Sequence, residues 1–505
     1  MATRIGFDNE LYLKQQTEAI LERVESSDNK LYLEFGGKLL FDYHAARVLP
    51  GFDPNVKMRL LQNLSGKADV ILCIYAGDIE RKKVRADFGI TYDSDALKLI
   101  DDMRERGIDV TAVVITRFDD QPAAKVFKNK LERRSIPVYT HRVIPDYPGD
   151  VDLILSDDGY GANEYIETTH PLVVVTAPGP GSGKLSTCFS QLYHDHQAGR
   201  NAGYAKFETF PIWNLALEHP VNVAYEAATA DIGDFNMIDP FHHKAYGKTT
   251  VNYNRDVDMF PVVRTILQRI TGSDSVYQSP TDMGVNCAGF GIVDDDAVQE
   301  AARQEIIRRY FRYRCEFALG FADKATVDRI RMLMNRLNLS PENRCVVEPA
   351  REAALEAQEA GKGNEGISCG AAVELADGTI ITGKNSPIMH AASSLVLNAV
   401  KELASIPDHM HLLPPNIMDS IAAFKKEIVH KRNVSLDLGE TLIALSVSVA
   451  TNPAAELAME KLKELEGCEV HMSHMPTPGD EMGLRRLGVN LTSDPNFPSK
   501  NLLLT

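Results

Sequence analysis

The sequence predicts an α/β chain of several domains, led by a mainly parallel sheet of the Rossmann-like or P-loop-like kind. Three observations predict it. Short apolar runs such as ADVILCIYAGD, DVTAVVITR and PLVVVTA alternate with amphipathic helical stretches, and continuous Val/Ile/Leu marks strands buried on both faces, as parallel sheets require. A length of 505 residues exceeds what one hydrophobic core supports. Finally, PLVVVTAPGPGSGKLSTC (171–188) reads as strand, glycine-rich turn and helix, the order in which phosphate groups are presented to a helix N-terminus.

In chain order, a helix near residues 9–24 precedes KLYLEFGGKL, a strand that carries the chain into the first domain. ADVILCIYAGD is a strand, and SDALKLIDDMRERG a helix with Ser94 as its N-cap and Gly107 just past its end. DVTAVVITR is a strand, and QPAAKVFKNKLERR a helix with Pro122 in its first turn. IPVYTHRV, VDLILSDDGYG and PLVVVTA complete the strand series. Ligands of open parallel sheets gather at the carboxyl ends of strands, and those ends carry Asp78, Arg117, Asp157, Asp158 and the glycine turn after Ala177. The stretch at about 204–296 is dense in Asn, Asp, His and aromatic residues with weak periodicity. It reads either as functional loops around a site or as a loosely patterned subdomain.

From 297 to 362 the pattern is helical, and GKGNEG (361–366) reads as a linker. Beyond it, GISCGAAVELADGTIITGKNS is a β-hairpin turning at Asp377-Gly378. PIMHAASSLVLNAVKELA is a helix, ETLIALSVSVA a strand, NPAAELAMEKLKELEG a helix and CEVHMSHM a strand. The expected domains are therefore 1–296, a helical segment 297–362, and an α/β domain 363–505.

With 44% hydrophobic and 25% charged residues, the composition is that of a soluble globular protein. A formal charge of −16 speaks against binding nucleic-acid polymers, whose backbones need clustered cations. It leaves room for one small phosphorylated ligand in a locally basic pocket. The polar start MATRIGFDNELYLKQQ has no signal-peptide core, and no apolar run approaches the ~18 residues of a membrane span. The seven cysteines are odd in number and never spaced C-x-x-C, which fits reduced thiols in a cytoplasmic protein.

A phosphate loop works because successive backbone N–H groups and a helix N-terminus converge on an anion while a lysine reaches its outer oxygens. Gly179, Gly181 and Gly183 supply backbone freedom, Lys184 stands where the lysine belongs, and Ser182, Ser186 and Thr187 offer hydroxyls. The strict G-x-x-x-x-G-K-[ST] pattern would place glycine at 178 and a hydroxyl at 185, where this chain has Pro178 and Leu185. Leu185 falls on the apolar stripe of the helix, which leaves Ser186 or Thr187 to serve a magnesium ion. The plainer alternative is a tight turn joining a buried strand to its helix.

Asp157 and Asp158, closing the strand before the loop strand, are candidate Mg²⁺ or ribose ligands, or else ordinary D-D-G turn chemistry. Lys206, Glu208, Asn252, Asn254 and Arg255 are candidate substrate contacts, or ordinary surface. Asp239, His242 and His243, with Glu226 and Asp231 upstream, form a histidine–carboxylate group, but adjacent histidines point apart and no i, i+4 pair is present, so no metal is assigned.

The carboxy-terminal order hairpin–helix–strand–helix–strand resembles the cytidine-deaminase-like fold. Zinc deaminases hold their metal through a His/Cys-x-Glu helix start and a Pro-Cys-x-x-Cys helix start. Here His390-Ala391-Ala392 lacks the Glu and Asn452-Pro453-Ala454-Ala455 lacks the cysteines. The resemblance thus implies a domain without zinc chemistry, in which Lys384, Asn385, Ser386 and His390 are the residues of interest. Metal-free relatives of that fold bind nucleotides or build dimers.

VVVTAPGPGSGK, AGYAKFETFPIWNL, AYEAATADI, NMIDPFH, TTVNYNRDV, SPTDMGVN and CGAAVELADGTIITGKNSP together resemble a bacterial family of conserved hypothetical proteins, carried as a domain of unknown function. The resemblance spans most of the chain. It implies a multi-domain α/β cytosolic protein with a helical insert and a deaminase-like carboxy-terminal part, and it implies no activity.

The expected function is binding of a phosphorylated or nucleotide-like small molecule on Gly179–Lys184, for phosphoryl-transfer or ligase-type chemistry. Lys184, Asp157 and Asp158 are the expected catalytic groups, with a nucleotide and Mg²⁺ as the cofactor. The alternatives are a non-catalytic nucleotide or metabolite sensor that forms homo-oligomers through its carboxy-terminal domain, and a metal-dependent hydrolase using Asp239 and His242.

Overall fold

The computed structural model describes residues 4–28, 30–64, 66–85, 90–273 and 277–499. The chain divides into two compact units, one comprising Ile5–Ala302 and the other beginning at Arg303. The strands of the first unit are β1 (Leu31–Phe35), β2 (Ala68–Tyr75), a small antiparallel ribbon of β3 (Val84–Arg85) and β4 (Ile90–Thr91), β5 (Ala112–Thr116), β6 (Val138–Thr140), β7 (Leu172–Thr176), β8 (Gly203–Phe207), a second antiparallel ribbon of β9 (Asn236–Ile238) and β10 (Val251–Tyr253), and β11 (Gly284–Val285).

Seven of these strands form one sheet in the order β11-β8-β1-β7-β2-β5-β6, with every neighbouring pair parallel. β1, β5 and β7 are buried along their whole length, which is why they read as unbroken apolar runs. One face of the sheet, carrying Tyr32, Cys73, Val114, Val173 and Val175, packs on Cys188, Phe189 and Leu192 of the helix Lys184–Gln197 and on Phe260, Val263 and Ile266 of the helix Asn254–Thr271. Each such buried side chain contributes about 1.5–3 kcal/mol.

The strand order positions the site. β2, β5 and β6 are laid outward on one side of β1, the chain then returns to insert β7 between β1 and β2, and β8 and β11 extend the other side. The direction of strand addition reverses at the centre, and the carboxyl edge there is where ligands of such sheets sit.

The polar stretch at 204–296 is not loop alone. It adds β8 and β11 to the main sheet and forms the 18-residue helix Asn254–Thr271, which continues through Pro261. Two local readings are corrected. VDLIL is not a strand: Val151–Ile154 is a helical turn started by Asp150, whose side chain accepts from Leu153 N at 3.0 Å. Ser94 is not an N-cap: the helix Tyr92–Glu105 starts after Thr91, whose hydroxyl bonds Ser94 Oγ at 2.9 Å. Gly107, with φ +75°, does stand just past the helix end, and Pro122 does open the helix Pro122–Glu132.

In the second unit the helices Lys324–Arg336 and Val347–Glu359 lead to a four-stranded sheet of β12 (Gly370–Glu374), β13 (Ile380–Lys384), β14 (Glu469–Met472) and β15 (Asn490–Ser493). Its order is β13-β12-β14-β15, with β14 and β15 parallel and the other pairs antiparallel. The hairpin turns at Asp377-Gly378, where Asp377 accepts from Thr379 N at 2.9 Å and Gly378 has φ +88°. ETLIALSVSVA is a helix, Leu438–Ser448, and not the expected strand. Asp437 and Glu440 form a capping box at its start, and this local signal outweighs the β-branched residues that follow. Four helices therefore separate the hairpin from β14. No helix among the described residues is long and apolar enough to cross a membrane.

Candidate functional site

The turn after β7 is held from beneath through its carbonyl groups. Ser182 Oγ donates to Gly179 O at 2.7 Å, Thr116 Oγ1 donates to Ser182 O at 2.8 Å, and the Arg117 guanidinium donates to Gly181 O. That guanidinium also lies 3.4 Å from the centroid of the Tyr75 ring. Gly181 and Gly183 have φ of +70° and +86°, a region where L side chains are strained. A Cβ at Gly183 would lie 2.9 Å from Thr116, and one at Gly179 would lie 2.3 Å from Tyr92. Gly183 is the N-cap of the helix Lys184–Gln197 and brings no capping side chain, so the first-turn amides have no cap. Leu185 packs against the core as its helical position predicts, and Thr187 is buried with its hydroxyl 3.4 Å from Cys73 Sγ.

Beside this turn a row of charges crosses the carboxyl ends of β1 and β8. Lys184 Nζ lies 3.8 Å from Glu34 Oε1, and Tyr204 donates its hydroxyl to Glu34 Oε2 at 2.9 Å. Lys206 Nζ meets Glu208 Oε1 at 2.7 Å and also bonds Asp256 and the Tyr253 hydroxyl. Tyr253 in turn donates to Glu208 Oε1 at 3.2 Å. Arg255 pairs with Asp234 at 2.8 Å and lies 5.5 Å from the Tyr253 ring centroid. Lys57, almost wholly buried, donates to Gly36 O at 3.0 Å and faces Asp42 at 3.4 Å.

Burial pushes the Glu208 carboxyl up to about 7, with Lys206 opposing the shift and Asp256 reinforcing it. Burial works against the charge of Lys206, but Asp256 and Glu208 prevail and raise its pKa. At Lys57 burial prevails over Asp42 and the pKa falls. The row is thus an ionisable network in which burial and ion pairing compete.

Of the residues singled out from sequence, Lys184, Lys206, Glu208 and Arg255 come together here. Asn252 and Asn254 hold backbone instead: Asn252 Oδ1 accepts from Tyr253 N at 2.9 Å and Asn254 Oδ1 from Phe235 N at 2.9 Å. Asp157 and Asp158 are exposed in the turn after Val151–Ile154. Burial and then the charge of Asp157 raise the pKa of the Tyr193 hydroxyl on the loop helix. Glu34, Lys57, Tyr204, Tyr253 and Asp256 were not anticipated. Glu34 did carry a signal, as the one charged residue of LYLEF.

Asp239 caps the helix Pro240–Tyr246. Its oxygens accept from Phe241 N and His242 N at 2.9 and 3.0 Å, and from Thr281 N and Oγ1 at 3.3 and 2.6 Å. These bonds fill the roughly four acceptor positions of a carboxylate. Among the described residues no group of three or more His, Cys, Asp or Glu side chains is arranged to hold a metal.

In the second unit, Asn385 and Ser386 serve their own turn: Asn385 bonds Cys369 N and Ile367 O at 2.8 and 2.9 Å, and Ser386 Oγ accepts from Met389 N at 3.2 Å. Lys384 pairs with Glu356. His390 Nδ1 lies 2.7 Å from Asp480 Oδ2. Burial opposes the imidazolium, but the Asp480 bond and charge prevail and raise its pKa.

Fold and site together define an α/β protein that presents a glycine turn and a lysine–carboxylate–tyrosine row at the carboxyl edge of a parallel sheet. The chain belongs to the DUF1846 family. The family's N-terminal part, described as domain of unknown function DUF1846, N-terminal, matches residues 5–338, and its C-terminal part matches residues 342–503. The chain is 56% identical over 499 residues to a UPF0371 protein of Clostridium botulinum (strain Alaska E43 / Type E3), covering 99% of each chain. It is 55% identical over 499 residues to a UPF0371 protein of Clostridioides difficile (strain 630), again covering 99% of each.

Proposed function

We propose that this protein binds a phosphorylated or nucleotide-like small molecule on the turn between β7 and the helix Lys184–Gln197, with Lys184 neutralising the phosphate. One observation carries the reading. The carbonyls of Gly179, Gly181 and Ser182 are all taken by the protein's own donors, while the uncapped first turn and Lys184 lie beside them at the point where strand addition reverses. Inward carbonyls and a free helix start make an anion cradle of the P-loop-like kind. The same geometry supports the Rossmann-like reading of the sheet.

The Lys206–Glu208 pair supplies proton-transfer capacity within the same edge, because a carboxyl titrating near neutrality suits an acid or base. A nucleotide with Mg²⁺ would rely on Ser186, since Thr187 is buried against Cys73. Phosphoryl transfer or ligation is therefore the chemistry best matched to the site, in a cytoplasmic protein.

Isothermal titration of ATP, GTP, nucleoside monophosphates and phosphosugars into wild type and Lys184→Ala tests the reading. At least one compound should bind, and Lys184→Ala should weaken it about tenfold or more, the effect of one charge-assisted hydrogen bond. Binding by none of them, or equal binding by the variant, defeats the proposal.

A second reading has its own support. In the carboxy-terminal unit Ile443 and Val447 of the helix Leu438–Ser448 are 66% and 57% exposed, and Phe424 and Ile428 are exposed as well. An apolar face of this kind on a deaminase-like scaffold favours a sensor that assembles into homo-oligomers. Light scattering after size exclusion, with Ile443→Lys, checks it: a wild-type monomer refutes the idea.

A further inference from the structure

We infer that the ligand is the phosphate monoester of a polyhydroxylated carbon skeleton, a sugar or polyol phosphate. Its phosphate rests on the turn, and its hydroxyls meet Glu34, Glu208 and Asp256. The inference rests on the phosphate reading of the turn and narrows it to a substrate class.

The first argument is the balance of charge along the row. Lys57 faces Asp42, Lys184 faces Glu34, Lys206 is shared by Glu208 and Asp256, and Arg255 is paired with Asp234. Every cation in the row already has a carboxylate partner. The Lys184–Glu34 pair, at 3.8 Å, is longer than a hydrogen bond, so the turn, with its uncapped amides and this loosely held lysine, is where positive potential is in excess. That suffices for one phosphate monoester, which carries about −1.5 to −2 at neutral pH. A nucleoside triphosphate without its Mg²⁺ would set further phosphates against Glu34, Glu208 and Asp256, where like charges at close range repel, whereas a monoester needs no ion to enter.

The second argument is the hydrogen-bonding capacity left in the row. A carboxyl group accepts hydrogen bonds when ionised and can give one when protonated, and a hydroxyl meets either form. The bonds from Lys206 and Tyr253 fall on Oε1 of Glu208, and the bond from Lys206 to Asp256 falls on Oδ2. Oε2 of Glu208 and Oδ1 of Asp256 therefore remain to accept from donors brought by a ligand. Lys206 between them spends its three N–H donors on Glu208, Asp256 and the Tyr253 hydroxyl. The row therefore turns free carboxyl oxygens toward a ligand, and adjacent hydroxyl groups supply the O–H donors that match them.

The third argument is depth. The side chains of Lys184, Glu34 and Lys206 are 13%, 11% and 14% exposed, and those of Glu208 and Asp256 are 6% and 20% exposed. A small neutral, hydroxyl-rich body reaches such groups without bringing uncompensated charge into a poorly solvated place.

The test is calorimetric titration of the full chain with inorganic phosphate, AMP, ATP, and a panel of pentose, hexose and glycerol phosphates at one ionic strength. At least one sugar or polyol phosphate should bind about tenfold or more tightly than inorganic phosphate, AMP and ATP. Glu208→Gln and Asp256→Asn should each cut the ratio of sugar-phosphate to inorganic-phosphate affinity about tenfold. Thermal melting monitors folding, and the more exposed Asp256 carries the test if Glu208→Gln does not fold. Sugar phosphates no tighter than inorganic phosphate, tighter binding of AMP or ATP, or a ratio that survives in the folded variants overturns the inference. If inorganic phosphate binds and Lys184→Ala abolishes it, the phosphate reading of the turn stands whatever becomes of the sugar. If nothing binds, both fall together.

Discussion

Glu34 on β1 and Lys206 on β8 are register partners in the parallel sheet. A carboxylate and an ammonium group thus rise side by side from adjacent strands, about 4.8 Å apart in backbone. Lys184 and Tyr204 engage the carboxylate, while Glu208, Asp256 and Tyr253 engage the ammonium group. Removing one buried partner leaves the others uncompensated. Lys206→Met should therefore destabilise the first unit by about 3–5 kcal/mol. Urea unfolding measures this, and a loss under about 1 kcal/mol, the range of an exposed ion pair, would mean that water compensates the carboxylates.

The two left-handed glycines of the turn separate strain from crowding. A Cβ at Gly181 meets nothing within 4 Å, whereas one at Gly183 meets Thr116 at 2.9 Å. Gly181→Ala should cost about 1–2 kcal/mol through backbone strain alone, and Gly183→Ala should cost more. Melting temperatures of the two variants give the order directly, and a reversed order contradicts the packing of the turn on Thr116.

Glu208 makes stability depend on pH in a definite direction. Its folded pKa, about 7, lies above the ordinary carboxylate value of 4.5. Between those values the folded chain holds a proton that the unfolded chain has released, so its contribution is complete below about 4.5 and is lost as pH rises through 7. Comparing unfolding of wild type and Glu208→Gln from pH 4.5 to 8 isolates the effect. The wild type should lose stability relative to the variant over this range, and a gain would reverse the assigned shift.

Arg344 is 1% exposed and donates to Thr492 Oγ1 at 3.0 Å, to the carbonyls of Val470 and Asn490 at 3.2 and 2.6 Å, and to Glu469. It ties β14 to β15. Arg344→Ala should remove about 3–5 kcal/mol, since Glu469 and two carbonyls lose their partner. Differential scanning calorimetry should show the loss, and an unchanged transition would exclude the pairing.

The parallel sheet was legible because strands buried on both faces have no polar alternation to confuse the reading. The strand, glycine turn and helix at 172–197 were legible because glycine spacing and the apolar stripe are local. What failed was also local: Asp150 and the Asp437–Glu440 pair start helices in segments whose apolar content suggests strands. Capping chemistry of one or two residues decided those cases against propensity. Half of the charged row escaped detection for the opposite reason. Glu34 gains its meaning only from the β1–β8 register and Lys57 only from its bond to Gly36 O. These relationships join segments remote in sequence, and no spacing rule reports them.

The place of β7 has a consequence for how the chain is made. β1 and β2 share no hydrogen bonds; each is bonded to β7, which stands between them. During vectorial synthesis β1, β2, β5 and β6 all leave the ribosome before the strand that joins them. Until then β1 has an empty flank, and the parallel block of β2, β5 and β6 has an open edge of its own, the kind of surface that invites mispairing. Insertion of β7 closes both edges at once and sets down the glycine turn beside Thr116 and Glu34 in the same event. β8 and β11 then extend the far side of β1, so the sheet is completed only after the glycine turn has been set in place.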